Sequence, residues 1–178
     1  MSTPDPDLNA TAASLLGFLH EGPRTGYELQ EHVESSIGNF WNVTRSQVYR
    51  ELKTLATLDL VTAGATGQRE RVPYKITKAG RAAFAEWIRR EPEATIMRQP
   101  LVVTVFFGSH LEPARLRRYL QAGLLAHQQQ REQYVELRPH VTEPFERSTL
   151  DLGIAYEETF IRWIEGMPWI TEPKARGK

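Results

Sequence analysis

Between Thr44 and Leu58 the chain gathers Arg45, Ser46, Gln47, Tyr49, Arg50 and Lys53 into one short stretch. Ser46, Arg50, Lys53 and Thr57 recur at helical spacing with Tyr49 on their flank, and Val48, Leu52 and Leu55 recur on the other side. The polar face offers cations, hydroxyls and an amide. Its chemistry is contact with an anionic polymer rather than bond-making: ammonium and guanidinium groups suit phosphate oxygens, and Arg, Ser and Gln suit base edges. A solvated surface helix would carry a similar face, so the elements around it have to decide.

Other chemistries find little support. The chain has no cysteine, which excludes disulfides, thiolate zinc sites and thiol nucleophiles. Its five histidines (20, 32, 110, 127 and 140) show no metal-ligand spacing. There is no Ser-His-Asp arrangement and no convincing carboxylate pair. Gly64 to Gly67 is not followed by the Gly-Lys-Ser/Thr of a phosphate loop. The reading is a non-enzyme without cofactor or metal.

Net charge is zero over 178 residues, with 22 basic and 22 acidic side chains, which is unusual for a nucleic-acid binder. The distribution answers the objection. From Thr44 to Arg81 eight basic residues (Arg45, Arg50, Lys53, Arg69, Arg71, Lys75, Lys78, Arg81) stand against three acids (Glu51, Asp59, Glu70). Apolar residues at 40% and charged residues at 25% are ordinary globular values. No apolar run approaches the roughly 18 residues that span a bilayer. Residues 1–7 are polar and Pro-rich, unlike a signal peptide, and a cytoplasmic protein is expected.

The elements that must hold the basic face follow from local pattern. Leu8, Ala12, Leu15, Leu16 and Leu19 predict a helix over 8–20, broken at Gly22-Pro23. Thr25 with Glu28, and Thr44 with Gln47, are capping boxes that open two further helices. Leu29, Val33 and Ile37 face inward on the first of these. Leu60–Ala63 and Val72–Ile76 are β-prone; Pro73 cannot donate to a ladder, so the second run should be an edge or turn its amide outward. The connection from Gly64 to Arg71 is polar, with Arg69 and Arg71 near its base. Three helices and a basic two-stranded hairpin make a winged helix over 8–91, with wing cations placed for phosphates. Thr77 caps a fourth helix to about Arg90, with Ala83, Phe84, Trp87 and Ile88 as its stripe; Trp41 and Trp87 are read as core or interdomain packing.

From residue 92 to 170 a second domain is expected. Leu101–Phe107 is a compact apolar segment, helix or strand. A long helix over 113–138 carries Leu116, Leu120, Gly123 or Leu124, His127, Tyr134 and Leu137, and another near 145–167 carries Leu150, Ile154, Phe160, Ile161, Ile164 and Met167. Such an antiparallel hairpin has little core, so its stripe should bury against a second copy of the chain. The dimerisation candidates are Leu116, Leu120, Leu124, His127, Tyr134, Ile154, Phe160, Ile161 and Ile164. The fold class is mainly α: an α+β winged helix-turn-helix domain plus an antiparallel helical hairpin for dimerisation. Residues 1–7 and 171–178 are expected to be disordered.

These pieces resemble the PadR family across nearly the whole chain. The first half carries Leu15-Leu-Gly-Phe-Leu19, Gly22-Pro23 and Gly26-Tyr-Glu-Leu29. Trp41 precedes Ser46-Gln-Val-Tyr-Arg-Glu-Leu-Lys-Thr-Leu55, and Tyr74-Lys-Ile-Thr-Lys-Ala-Gly80 leads to Phe84 and Trp87. The second half is similar to the virulence-regulator-like branch, through Val105-Phe-Phe-Gly108, Leu111-Glu-Pro113 and Leu152-Gly-Ile-Ala-Tyr-Glu-Glu158. The resemblance implies a homodimeric repressor on a palindromic double-stranded DNA operator, often released by a small aromatic or amphiphilic effector. It implies DNA contacts from Thr44, Arg45, Ser46, Gln47, Tyr49, Arg50 and Lys53, beside wing residues Arg69, Arg71 and Lys75. Tyr49 resembles a family tyrosine that lies against the phosphate backbone. Near the dimer seam, Trp163 and Trp169 are read as interface contacts before a ligand sandwich. Two positions depart from the pattern: Arg50 stands where many members have Pro, and Asp59 where most have Gly, which Asp tolerates. A winged helix used only for protein interaction or effector sensing would expose apolar or acidic residues on the 44–58 helix instead.

Overall fold

The computed structural model describes residues 8–38, 40–65, 72–92 and 98–170, and the chain divides into two compact units, 1–94 and 95–178. The N-terminal unit begins with α1 (Ala10–Phe18), capped by Asn9, whose side chain accepts from the Ala12 amide. A short strand β1 (Arg24–Thr25) leads into α2 (Gly26–Ser36), and α3 spans Arg45–Thr57. Strands β2 (Val61–Ala63) and β3 (Pro73–Ile76) and helix α4 (Lys78–Trp87) complete it.

Both capping boxes form. Thr25 accepts from the Glu28 amide while the Glu28 carboxylate accepts from the Thr25 amide at 2.7 Å; Thr44 and Gln47 make the same exchange. The core is built from the predicted stripes: Leu15, Leu16, Leu29, Val33, Val48, Leu52 and Leu55 are fully buried, with Phe84 and Trp87 packed against them. Helix α3 stops in a Schellman arrangement, in which the Leu60 amide donates to the Leu55 carbonyl and the Asp59 amide to that of Ala56. Asp59 takes the required left-handed conformation at φ 55°.

Three expectations need correction. The sheet has three strands in the order β1-β3-β2, so β3 is central and not an edge. Pro73 is tolerated because it is the first residue of the strand; its carbonyl accepts from the Gly64 amide at 2.7 Å. Trp41 is 38% exposed and lies outside the core of its unit, and Ile88, the C-cap of α4, is 60% exposed.

In the C-terminal unit Leu101–Phe107 resolves as helix: α5 runs Pro100–Phe106, followed by a 3-10 turn at Gly108–His110. Helix α6 (Pro113–Leu137) and helix α7 (Pro144–Glu165) form the hairpin across a turn at Arg138–His140. The expectation that this hairpin has little core of its own is also corrected. Leu116, Leu120 and Ile164 are buried with Met167, and Leu101, Val105, Leu111, Leu124 and Trp163 pack against them. Tyr134 is buried too, its ring against Gly153, where a Cβ would lie 2.9 Å from Cε2. No helix among the described residues is long and apolar enough to cross a membrane.

Candidate nucleic-acid interface

The rotation of α3 about its axis is set by Val48, Leu52 and Leu55, each with no exposed surface. With those three inside, Arg45, Ser46, Tyr49, Arg50, Lys53 and Thr57 are all exposed, and Gln47 is half-buried. The first turn is ordered by its cap: besides the backbone exchange, the Thr44 hydroxyl lies 2.9 Å from Gln47 Oε1 and 3.1 Å from Ser46 Oγ. Thr44, Ser46 and Gln47 therefore form one tied group at the positive end of a helix, where an anion is electrostatically welcome.

Tyr49 is held from two sides while keeping 40% of its surface open. The Arg45 guanidinium lies over its ring, 5.6 Å from the centroid, a cation–π contact that orders both side chains. Beneath it is Gly26, the first residue of α2; a Cβ there would lie 2.8 Å from Tyr49 Cε1, so the ring needs a glycine under it. The spacing of residues on α3 gives no hint of that requirement, because the contact joins two helices.

Glu51, in the sequence one of three acids among the basic residues of 44–81, is 6% exposed on the core side of α3. One carboxylate oxygen accepts from Arg50 Nε and Nη2 at 3.3 and 3.1 Å, and the other accepts from Asn9 Nδ2 at 3.1 Å. Its signal was its position between Val48 and Leu55 on the apolar stripe, where an unpaired carboxylate would be costly.

Lys75 is exposed on β3, in register with Thr62 of β2. Arg69 and Arg71 lie outside the described residues. Of the dimerisation candidates, Leu116, Leu120, Tyr134 and Ile164 are buried by the chain's own helices, while Leu124, His127, Ile154, Phe160 and Ile161 are half-buried. His127 is engaged internally: its Nδ1 lies 2.5 Å from the buried Glu157 carboxylate and its ring stacks on Phe160 at 4.8 Å. Phe160 also meets Trp163 edge-on at 5.6 Å, and Trp169 is half exposed. Burial raises the Tyr156 phenol above its ordinary range, with the Glu157 charge adding to the effect.

The model of the transcriptional regulator PadR-like family matches residues 15–86, and that of the virulence activator alpha C-terminal domain matches residues 97–167. The negative transcriptional regulator PadR of Bacillus subtilis is 26% identical over 175 residues, covering 86% of this chain and 93% of that protein. Its structure in complex with operator DNA superposes with a TM-score of 0.73 at 21% identity, covering 88% of this chain and 96% of that one. Its structure with p-coumaric acid does so at 0.67 and 20% identity, covering 88% and 95%. The Vibrio cholerae virulence activator AphA matches with a TM-score of 0.67 and 25% identity, over 88% of this chain and 94% of that one. With both halves matched in order and the winged-helix fold shared, the chain belongs to the PadR-like family of transcriptional regulators and carries the virulence-activator alpha C-terminal domain behind its winged-helix half.

Proposed function

We propose that the chain is a homodimeric, sequence-specific repressor of transcription in the cytoplasm, released from a palindromic operator by a small aromatic or amphiphilic effector. The observation that carries the reading is α3, a doubly anchored helix whose apolar side is fully buried and whose outer side offers Arg45, Ser46, Tyr49, Arg50 and Lys53. In this reading residues 8–91 are the DNA-binding domain, with Thr44 and Gln47 ordering the first turn and Lys75, Arg69 and Arg71 contacting phosphate from the wing. Residues 92–170 form the dimerisation domain. The half-buried Leu124, His127, Ile154, Phe160 and Ile161 reach the partner there, while Leu116, Leu120, Tyr134 and Ile164 support the seam from within. The B. subtilis relative's structures with operator DNA and with p-coumaric acid support DNA and a small acid as partners.

Two α3 helices held by one dimer would enter successive major grooves, so the operator should be an inverted repeat with centres about one turn, or a multiple, apart. An effector would act by changing that spacing, and operator DNA must weaken effector binding by the same factor. The test is a titration of the protein against its own upstream intergenic DNA at two salt concentrations, beside an Arg50→Ala, Lys53→Ala double variant. Specific binding that falls steeply with salt and is mostly lost in the variant supports the reading. No preference for that DNA over random duplex excludes self-regulation, and failure of a genome-wide selection as well would leave a protein-interaction module.

A further inference from the structure

Arg50 and Glu51 are neighbours in sequence, and side chains at that spacing on a helix normally diverge. Here the guanidinium turns back across the helix and places Nε and Nη2 on a single oxygen of Glu51, at 3.3 and 3.1 Å. Glu51 cannot follow its partner outward. It is 6% exposed, and its second oxygen is held by Asn9 Nδ2, whose own Oδ1 caps α1. An exposed arginine is thereby tied to an acceptor fixed between two helices.

The tie leaves a defined remainder. A guanidinium has five N–H donors in a rigid fork. The edge formed by Nε and Nη2 is engaged, while the distal edge, a parallel pair of N–H groups on Nη1 and Nη2, is left to a ligand. Two parallel donors suit two adjacent acceptors, and in the major groove guanine alone presents that pair, at O6 and N7. A phosphate also accepts a fork through two of its oxygens, but it needs only a cation, and Lys53 on the same face of α3, with no rigid fork, is suited to that purpose. The carboxylate also lowers the net charge that Arg50 offers to the backbone, which weakens its use as a general phosphate anchor.

We propose that Arg50 is a specificity-determining residue that reads a guanine through its distal edge, and that Glu51 is the positioning residue that holds it in that pose. The proposal rests on the reading of α3 as the DNA-contacting helix. It assigns Arg50 to base readout and leaves Arg45 and Lys53 to the backbone.

The experiment selects binding sites for the full-length protein from a random duplex pool and then measures affinity for the selected site, its single-base variants and random duplex. Glu51→Met retains length and helix propensity but has no acceptor for Arg50; Arg50→Lys retains charge but has no fork. For the native protein, replacing one G·C pair in each half-site should cost roughly tenfold or more. In both variants that penalty should fall to within about threefold, while affinity for random duplex changes by less than about threefold. A merely structural role for Glu51 would weaken all duplexes alike and leave the G·C penalty intact. Glu51→Met retaining the full penalty overturns the positioning role, and Arg50→Lys retaining it overturns the readout. Thermal melts establish that each variant folds, and Glu51→Ala, which also leaves Arg50 no acceptor, replaces Glu51→Met if the latter does not. A native protein that selects no site at all defeats the DNA-binding reading itself, and this outcome is distinct from either of the others.

Discussion

Asp59 is the one non-glycine residue at positive φ among the described residues, and it sits where α3 hands over to β2. The left-handed conformation costs most L-residues about 1–2 kcal/mol, and Asp less, because its short polar side chain bonds locally. Asp59→Ala should therefore lower stability by about 1 kcal/mol, whereas Asp59→Gly should change it little, as read by thermal unfolding. Tyr156 offers a second test at this scale. Burial and the Glu157 carboxylate disfavour its ionised form, so its folded-state pKa lies above the unfolded one. The sign follows directly: the contribution to stability is complete below the ordinary tyrosine range and is lost as pH rises through the folded value. Melting temperature should thus fall above about pH 10, and less steeply in Tyr156→Phe. A parallel decline in the two proteins would refute the assignment.

At the scale of elements, the two capping boxes separate stability from binding. Thr25→Ala and Thr44→Ala each remove an N-cap worth about 1 kcal/mol, so both should lower the melting temperature by similar amounts. Only Thr44→Ala frays the turn that carries Arg45, Ser46 and Gln47, so only it should weaken DNA binding at a temperature where both remain folded. Gly80 in the first turn of α4 is a stricter position: a Cβ there would lie 2.1 Å from the Leu60 carbonyl oxygen and 2.9 Å from Ile76 Cγ1. Since the nearer atom is backbone, Gly80→Ala should cost about 2 kcal/mol or more. What was legible in the sequence divides along the same line. Caps, helical stripes and the stop at Asp59 are written within a few residues of one another, and the elements follow them. Strand β1 is two residues long and exists only by pairing with β3 far along the chain, Arg24 with Tyr74 and Thr25 with Pro73. No local pattern signals it, and without it Pro73 argued for an edge strand. Ile88, the exposed ring of Trp41 and the internal core of the α6–α7 hairpin show the same limit, since apolarity says that a face can be buried but not what covers it. In the site, the exposed face of α3 was readable from spacing; Gly26 beneath Tyr49 and Asn9 behind Glu51 were not, because each contact crosses between helices.

For the whole molecule, neutrality and a local cationic face together set how it should meet DNA. A protein with zero net charge has little long-range attraction for a polyanion, so non-specific adhesion should rest on the few cations that α3 and the wing present. Each phosphate neutralised contributes about 0.9 to the slope of log K against log salt. Lys53→Ala should therefore reduce the slope by about 1 per bound protomer and weaken selected and random duplexes by the same factor. Arg50→Lys, which keeps its charge, should leave the slope unchanged while flattening the preference among sequences. Titrations at four salt concentrations on both kinds of duplex distinguish the two behaviours. If Lys53→Ala altered sequence preference without altering the slope, the division of labour along α3 would be inverted, with Lys53 on the bases and Arg50 on the backbone. That outcome would also require the Glu51 carboxylate to stand close to a phosphate, a repulsion that the division proposed here avoids.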